Sequence, residues 1–120
     1  MKRISLICVM ILALAAVNAR AQSFCFQADN QEAWVSISGT DAHFQNCSNP
    51  NLPIDELNTT GSLTVTSCVV SYTGAAGAFT LVVNGSSCDG TGTVSLYRGE
   101  TLIYSFTRTN SQNDSNCKCP

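Results

Sequence analysis

Residues 63–83 read LTVTSCVVSYTGAAGAFTLVV, and this stretch decides the fold class. Leu63 to Tyr72 is dense in β-branched residues and alternates apolar with polar in its first half, which predicts a strand with one face buried. Gly74-Ala75-Ala76-Gly77 predicts a turn. Phe79 to Val83 predicts the next strand, closed by Asn84-Gly85. A hydrophobic stripe at helical spacing is missing here and from the rest of the chain after residue 21.

On the C-terminal side, a glycine-rich SSCDGTG leads into Thr93–Tyr97. With Leu102–Thr107, that segment flanks Arg98-Gly99-Glu100-Thr101. This is the strongest hairpin pattern in the sequence, with Val94 and Leu96 on one face and Leu102, Tyr104 and Phe106 grouped on the partner strand. On the N-terminal side, Ala33–Ser38 alternates and stops at Gly39-Thr40-Asp41. Between them, CSNPNLPIDELNTTG from Cys47 to Gly61 predicts a long loop, in which Pro53 suits the first position of a helical turn reaching Leu57. Turn residues recurring at short intervals predict an all-β fold: a small, disulfide-stapled antiparallel β-sandwich or irregular barrel of about five to seven short strands. Trp34, Phe79, Tyr104 and Phe106 are core candidates, and Phe24 and Phe26 anchor the first strand.

The N-terminus predicts export. Met1-Lys2-Arg3 is a basic start, and Ile4 to Val17 is apolar but shorter than the about 20 residues that span a bilayer. Ala19-Arg20-Ala21 matches the small-x-small pattern of a signal-peptide cleavage site. The expected organisation is a removed signal peptide over 1–21 and one secreted β-domain over 22–120, with 108–120 as a disulfide-tethered tail. Cleavage would leave three basic residues, Arg98, Arg108 and Lys118, against eight acidic ones, a net charge of −5. Such a surface lacks the basic footprint of a nucleic-acid binder or an anionic-lipid binder, so neither nucleic acid nor membrane is an expected partner.

Removing Cys8 with the signal leaves Cys25, Cys47, Cys68, Cys88, Cys117 and Cys119, an even set that predicts three disulfides. Cys117 and Cys119 are too close in sequence for an unstrained bridge to each other. The tail should therefore be fastened at two separate places. Cys68–Cys88 is favoured because it would tie neighbouring β elements, and it leaves Cys25 and Cys47 for the tail. Zinc spacing is missing, and neither a metal nor another cofactor is expected.

Four triplets fit the N-glycosylation pattern, at Asn46, Asn58, Asn84 and Asn113. Asn58 and Asn84 are the favoured acceptors, on the expectation that they occupy exposed turns. The lone histidine, His43, has Asp41 nearby but no nucleophile-elbow pattern, and the adjacent Asp55-Glu56 carboxylates, whose side chains point apart, are expected to be solvated at the surface and not to form a glycosidase dyad. Asp41 and Asp89-Gly90 lack the regular acidic spacing of a calcium loop. No catalytic residue is expected. Tyr97, Arg98 and Glu100 on the hairpin, with Leu52 and Ile54 in the long loop, are the binding candidates, since Tyr and Arg are favoured at recognition hot spots. The expected function is a secreted, non-enzymatic protein that presents loops from a three-disulfide β scaffold to an extracellular protein or glycan. The alternatives are an inhibitor or effector acting on a foreign target such as a protease, through Asn49–Ile54, and a structural component of the extracellular space.

Overall fold

A computed structural model describes residues 23–86, 91–108 and 117–120. The segment read as a signal peptide, the Cys88 and Asp89-Gly90 positions, and Asn113 lie outside the described residues. Eight strands follow one another: β1 Ser23–Gln27, β2 Ala33–Ser38, β3 Asp41–Asn46, β4 Glu56–Thr66, β5 Val69–Ala76, β6 Phe79–Ser86, β7 Gly92–Arg98 and β8 Thr101–Arg108. Each pairs antiparallel with its sequence neighbour, giving one sheet in the order β1 to β8. The sheet curls into a nearly closed barrel. The expected all-β class holds; of the two architectures expected, the single rolled sheet is the barrel and not the sandwich, and the described residues form eight strands rather than five to seven.

The extra strands arise where turn chemistry is weak in the sequence. The stretch from Leu63 to Tyr72 is not one strand: it folds back at Ser67-Cys68, and both residues sit at positive φ, 45° and 71°. That is the backbone of a type I′ two-residue hairpin, usually signalled by Asn or Gly. The predicted turn at Gly74–Gly77 also shifts. Gly74 lies within β5 opposite Gly61, and the chain reverses at Gly77-Ala78, with Gly77 at φ 61°. The long loop is shorter than expected, running over 47–55, and β4 begins at Glu56. The helical turn expected from Pro53 to Leu57 does not form; Glu56 and Leu57 instead pair with Gln45 and Phe44.

Alternation fills the barrel. Phe24 and Phe26 of β1, Val35 and Ile37 of β2, Phe44 of β3, Val70 and Tyr72 of β5, Leu81 and Val83 of β6, and Val94 and Leu96 of β7 form one buried cluster. Every strand except β4 and β8 contributes a fully buried apolar side chain, so the interior is packed side chain on side chain, as expected for a barrel of this size. The aromatic core candidates are displaced from this centre. Phe79, Tyr104 and Phe106 pack against the cluster only half-buried, and Trp34 projects from the opposite face of β2. A bulge beside Leu96/Tyr97 breaks the hairpin alternation, so Leu102 pairs with Tyr97 and remains exposed while Tyr104 pairs with Leu96.

Closure depends on two devices. Gly85 and Gly92 face each other across β6 and β7, and the Phe26 ring from β1 lies over both, where any side chain would collide with it. A missing pair of Cβ atoms thus becomes the socket that draws β1 across the barrel. At the seam between β1 and β8, side chains stand in for a ladder. The buried Arg108 guanidinium donates to the Cys25 carbonyl and lies 5.5 Å from the centre of the Phe26 ring. The Tyr104 hydroxyl donates to Glu32 Oε2 at 3.5 Å, from β8 to the β1–β2 loop.

The C-terminus crosses the outside of β1. Cys117 is bonded to Cys25 and Cys119 to Cys47, so the tail holds the two cysteines expected of it. Between them, the Lys118 carbonyl accepts from Gln27 Nε2 at 3.1 Å. This strap explains why β1 is buried on both faces: Phe24 and Phe26 face the core while Cys25 and Gln27 face the tail. Arg108, expected to open the tail, is instead the last residue of β8. Cys68 is also disulfide-bonded. These bridges fit an oxidising environment. Among the described residues no helix is long and apolar enough to cross a membrane.

Candidate functional site

The residues of β2, β3 and β4 that do not enter the core share an outer face. Register places Ser36 opposite His43 and His43 opposite Asn58; Trp34 pairs with Gln45, and Gln45 with Glu56. The result is a polar patch centred on the chain's one histidine.

His43 is held from several sides. Its Nδ1 lies 2.7 Å from Asn58 Oδ1, and its Nε2 lies 3.3 Å from Gln45 Oε1 and 3.4 Å from Glu56 Oε2. All three neighbours are oxygens. A protonated ring donates to both sides, while a neutral ring donates to one and needs a turned amide at the other. The Trp34 indole stacks on the imidazole, with ring centres 5.1 Å apart and planes 20° from parallel. Trp34 Nε1 is buried and has no hydrogen-bond partner among the described residues. These contacts orient the imidazole toward amide and carboxylate oxygens.

Beside this stack lies an open groove of about 330 Å³. Ser36, Ser38, Asp41, His43, Asn58 and Thr60 supply its polar lining, and Ala75 and Ala76 of β5 line its far side. The groove sits where β4 passes from pairing with β3 to pairing with β5, around the Thr60–Ala75 pair. Among the described residues, the inward-facing apolar side chains of these strands pack into the buried core.

The residues singled out from sequence are dispersed. Tyr97, Arg98 and Glu100 lie together at the β7–β8 hairpin, where Arg98 is 5.3 Å from the centre of the Phe79 ring and Glu100 is exposed in the turn. Leu52 and Ile54 are half-buried against the core, so their side chains hold the loop down. That loop is fixed further by Asn46, whose side chain accepts from Asn49 N at 2.8 Å and donates to the carbonyls of Asn49 and Ile54. Of the favoured glycosylation positions, Asn58 and Asn84 are exposed but sit within β4 and β6, not in turns. Asp41 lines the groove; Asp55 and Glu56 diverge, Glu56 toward His43 and Asp55 into the loop, where its carbonyl accepts from Gln45. Among the described residues no group of three His, Cys, Asp or Glu side chains is placed to hold a metal ion.

Sequence reasoning missed the Trp34–His43 pair, although one signal was available. In Ala33–Ser38 the apolar period is carried by Ala33, Val35 and Ile37, which leaves Trp34 with Ser36 and Ser38 on the other face. A tryptophan on the polar side of an alternating strand points to recognition more than to core.

The chain matches no protein-family model, and no curated protein or solved structure shows significant similarity to it.

Proposed function

We propose that this is a secreted, non-enzymatic binding protein, a strapped β-barrel that recognises an extracellular partner on its outer surface. The observation that carries this reading is the contrast between a filled interior and a concave, polar outer face on β2–β4, flanked by a stacked tryptophan and histidine. Binding sites are usually concave, largely pre-formed and lined by a few placed polar groups. The strap and the register pre-form this one. An exposed inhibitory loop is less well supported, because Leu52 and Ile54 spend their apolar surface on the core.

The test uses the disulfide-bonded protein immobilised by its N-terminus and exposed to the extracellular fluid or matrix of its source. Specific retention of a partner by the native protein, lost with Ala75→Gln in the groove and kept with Arg98→Ala on the hairpin, is the expected result. Retention that ignores the groove variant, or turnover of a substrate by the purified protein, would remove the reading.

A further inference from the structure

The geometry points to a neutral, polyhydroxylated ring, such as a hexose or N-acetylhexosamine unit of a glycan, as the ligand of the β2–β4 groove. This deepens the binding reading above and rests on it. The polar lining is built from groups that suit hydroxyls. Ser36, Ser38 and Thr60 both donate and accept, Asp41 accepts, and Asn58, whose Oδ1 is taken by His43, offers its amide NH2. A sugar hydroxyl is likewise donor and acceptor at once, so a mixed lining of this kind can satisfy it on both counts. The far side is lined by Ala75 and Ala76, and the short side chain of Ala75, set beside Thr60 by register, leaves room for the apolar C–H face of a ring.

Size and charge narrow the class. About 330 Å³ of open groove lies near the lower end of small-ligand sites, too small for a folded partner's anchor patch and sufficient for a short saccharide. The lining carries Asp41 and, among the described residues, no lysine or arginine, which disfavours phosphorylated, sulfated or uronic-acid ligands. Trp34 braces the imidazole from the side, so His43 enters the groove as a fixed aromatic surface.

Asn58 adds a constraint. The nitrogen that would donate to a bound sugar is the one that an N-linked glycan would occupy, so the ligand site requires Asn58 unmodified. The assay therefore uses the full chain secreted into an oxidising compartment of a host that does not N-glycosylate. The probes are methyl glycosides of a neutral hexose and of N-acetylhexosamine, with a methyl glucuronide as the charged comparison. Trp34 is the chain's only tryptophan and His43 its only histidine, so indole fluorescence and the imidazole NMR resonances report on this face alone.

The expected result is a saturable change in both signals with at least one neutral glycoside and a weaker response to the glucuronide. Asp41→Ala and Ala75→Gln should each reduce affinity about tenfold, as loss of a charge-assisted hydrogen bond or of the cleft would. Arg98→Ala should leave it unchanged. No saturable change with any neutral glycoside up to about 10 mM, or binding indifferent to both groove variants, overturns the assignment. If the sugars fail while groove-dependent retention of a protein partner persists, the sugar assignment falls and the binding reading stands. If both fail, both fall.

Discussion

At Gly92 the place where a β-carbon would stand is already taken: it would lie 2.6 Å from Phe26 Cε1. The ring is fully buried and has no room to retreat. Gly92→Ala should therefore destabilise the fold by about 1–3 kcal/mol, the usual range for overpacking. Combining it with Phe26→Leu should cost less than the sum of the two single changes, because the smaller side chain vacates the socket. Urea unfolding of the four proteins in the cycle measures this. Tyr104 gives a second test. Burial pushes its hydroxyl up to about 12, with the negative charge of Glu32 and the hydrogen bond to it adding to the effect. The folded protein thus keeps this proton where the unfolded chain, near pH 10, begins to lose it. The stabilisation is fully present below about pH 10 and is lost as pH rises through about 12. Tyr104→Phe should flatten the fall in unfolding midpoint over that interval and leave the slope near neutrality unchanged. Midpoints that fall equally in both proteins would remove the assignment.

At the scale of elements, β1 depends most on what surrounds it. It is a five-residue edge strand with one ladder partner, and the tail covers its back. Replacing Cys25 and Cys117 together by serine opens a link across a sequence separation of 92 residues. With Cys47–Cys119 still closed, the path from Cys25 to Cys117 through that bridge is only about 25 residues, and the chain-entropy argument gives a loss of about 3.5 kcal/mol for a loop of that size. Hydrogen exchange should rise first in β1, where unpaired edge amides become accessible, and least in β5 and β6, which have partners on both sides. Uniform exchange across all strands would contradict this order.

Elements also differ in how openly the sequence declared them. The bounds of β2 and the hairpin between β7 and β8 were readable, because alternation and an Arg98-Gly99-Glu100-Thr101 turn marked them. The β4–β5 reversal was hidden, since Ser67-Cys68 adopts positive φ without glycine or asparagine. Gly74 misled in the other direction. A glycine usually marks a turn, but here it faces Gly61 in mid-ladder. The candidate site was half legible for the same reason. Trp34, a core candidate by its bulk, belongs by alternation to the polar face of β2, and the partners of His43, Asn58 and Glu56, come from a strand that local composition disguised as loop. Only cross-strand register brings them to the imidazole.

For the whole molecule, the decisive feature is a barrel closed without a continuous ladder. Arg108 is buried at the seam, bonded to the Cys25 carbonyl and set over Phe26. Arg108→Met keeps most of the side chain's bulk but removes its donors and its charge. It should cost about 1.5–3 kcal/mol, the range for a hydrogen bond made by a charged group, in chemical denaturation. If closure depends on this residue, the variant should also gain binding of a hydrophobic dye at the opened seam. Full native stability with no dye binding would mean that the glycine socket and the strap suffice.

The arrangement of the bridges has a mechanical consequence. Cys25 and Cys47 lie near the start of the described chain and are bonded to Cys117 and Cys119 near its end. A cut anywhere from Ser48 to Asn116 leaves two pieces still covalently joined, so a nicked molecule should migrate as one species until it is reduced. Tension applied between Ser23 and Pro120 would run through the Cys25–Cys117 bond and the three residues that follow Cys117. Strands β2 to β8 lie off that line of force. Under load the barrel would hang beside a short covalent tether, its fold and its outer groove undisturbed.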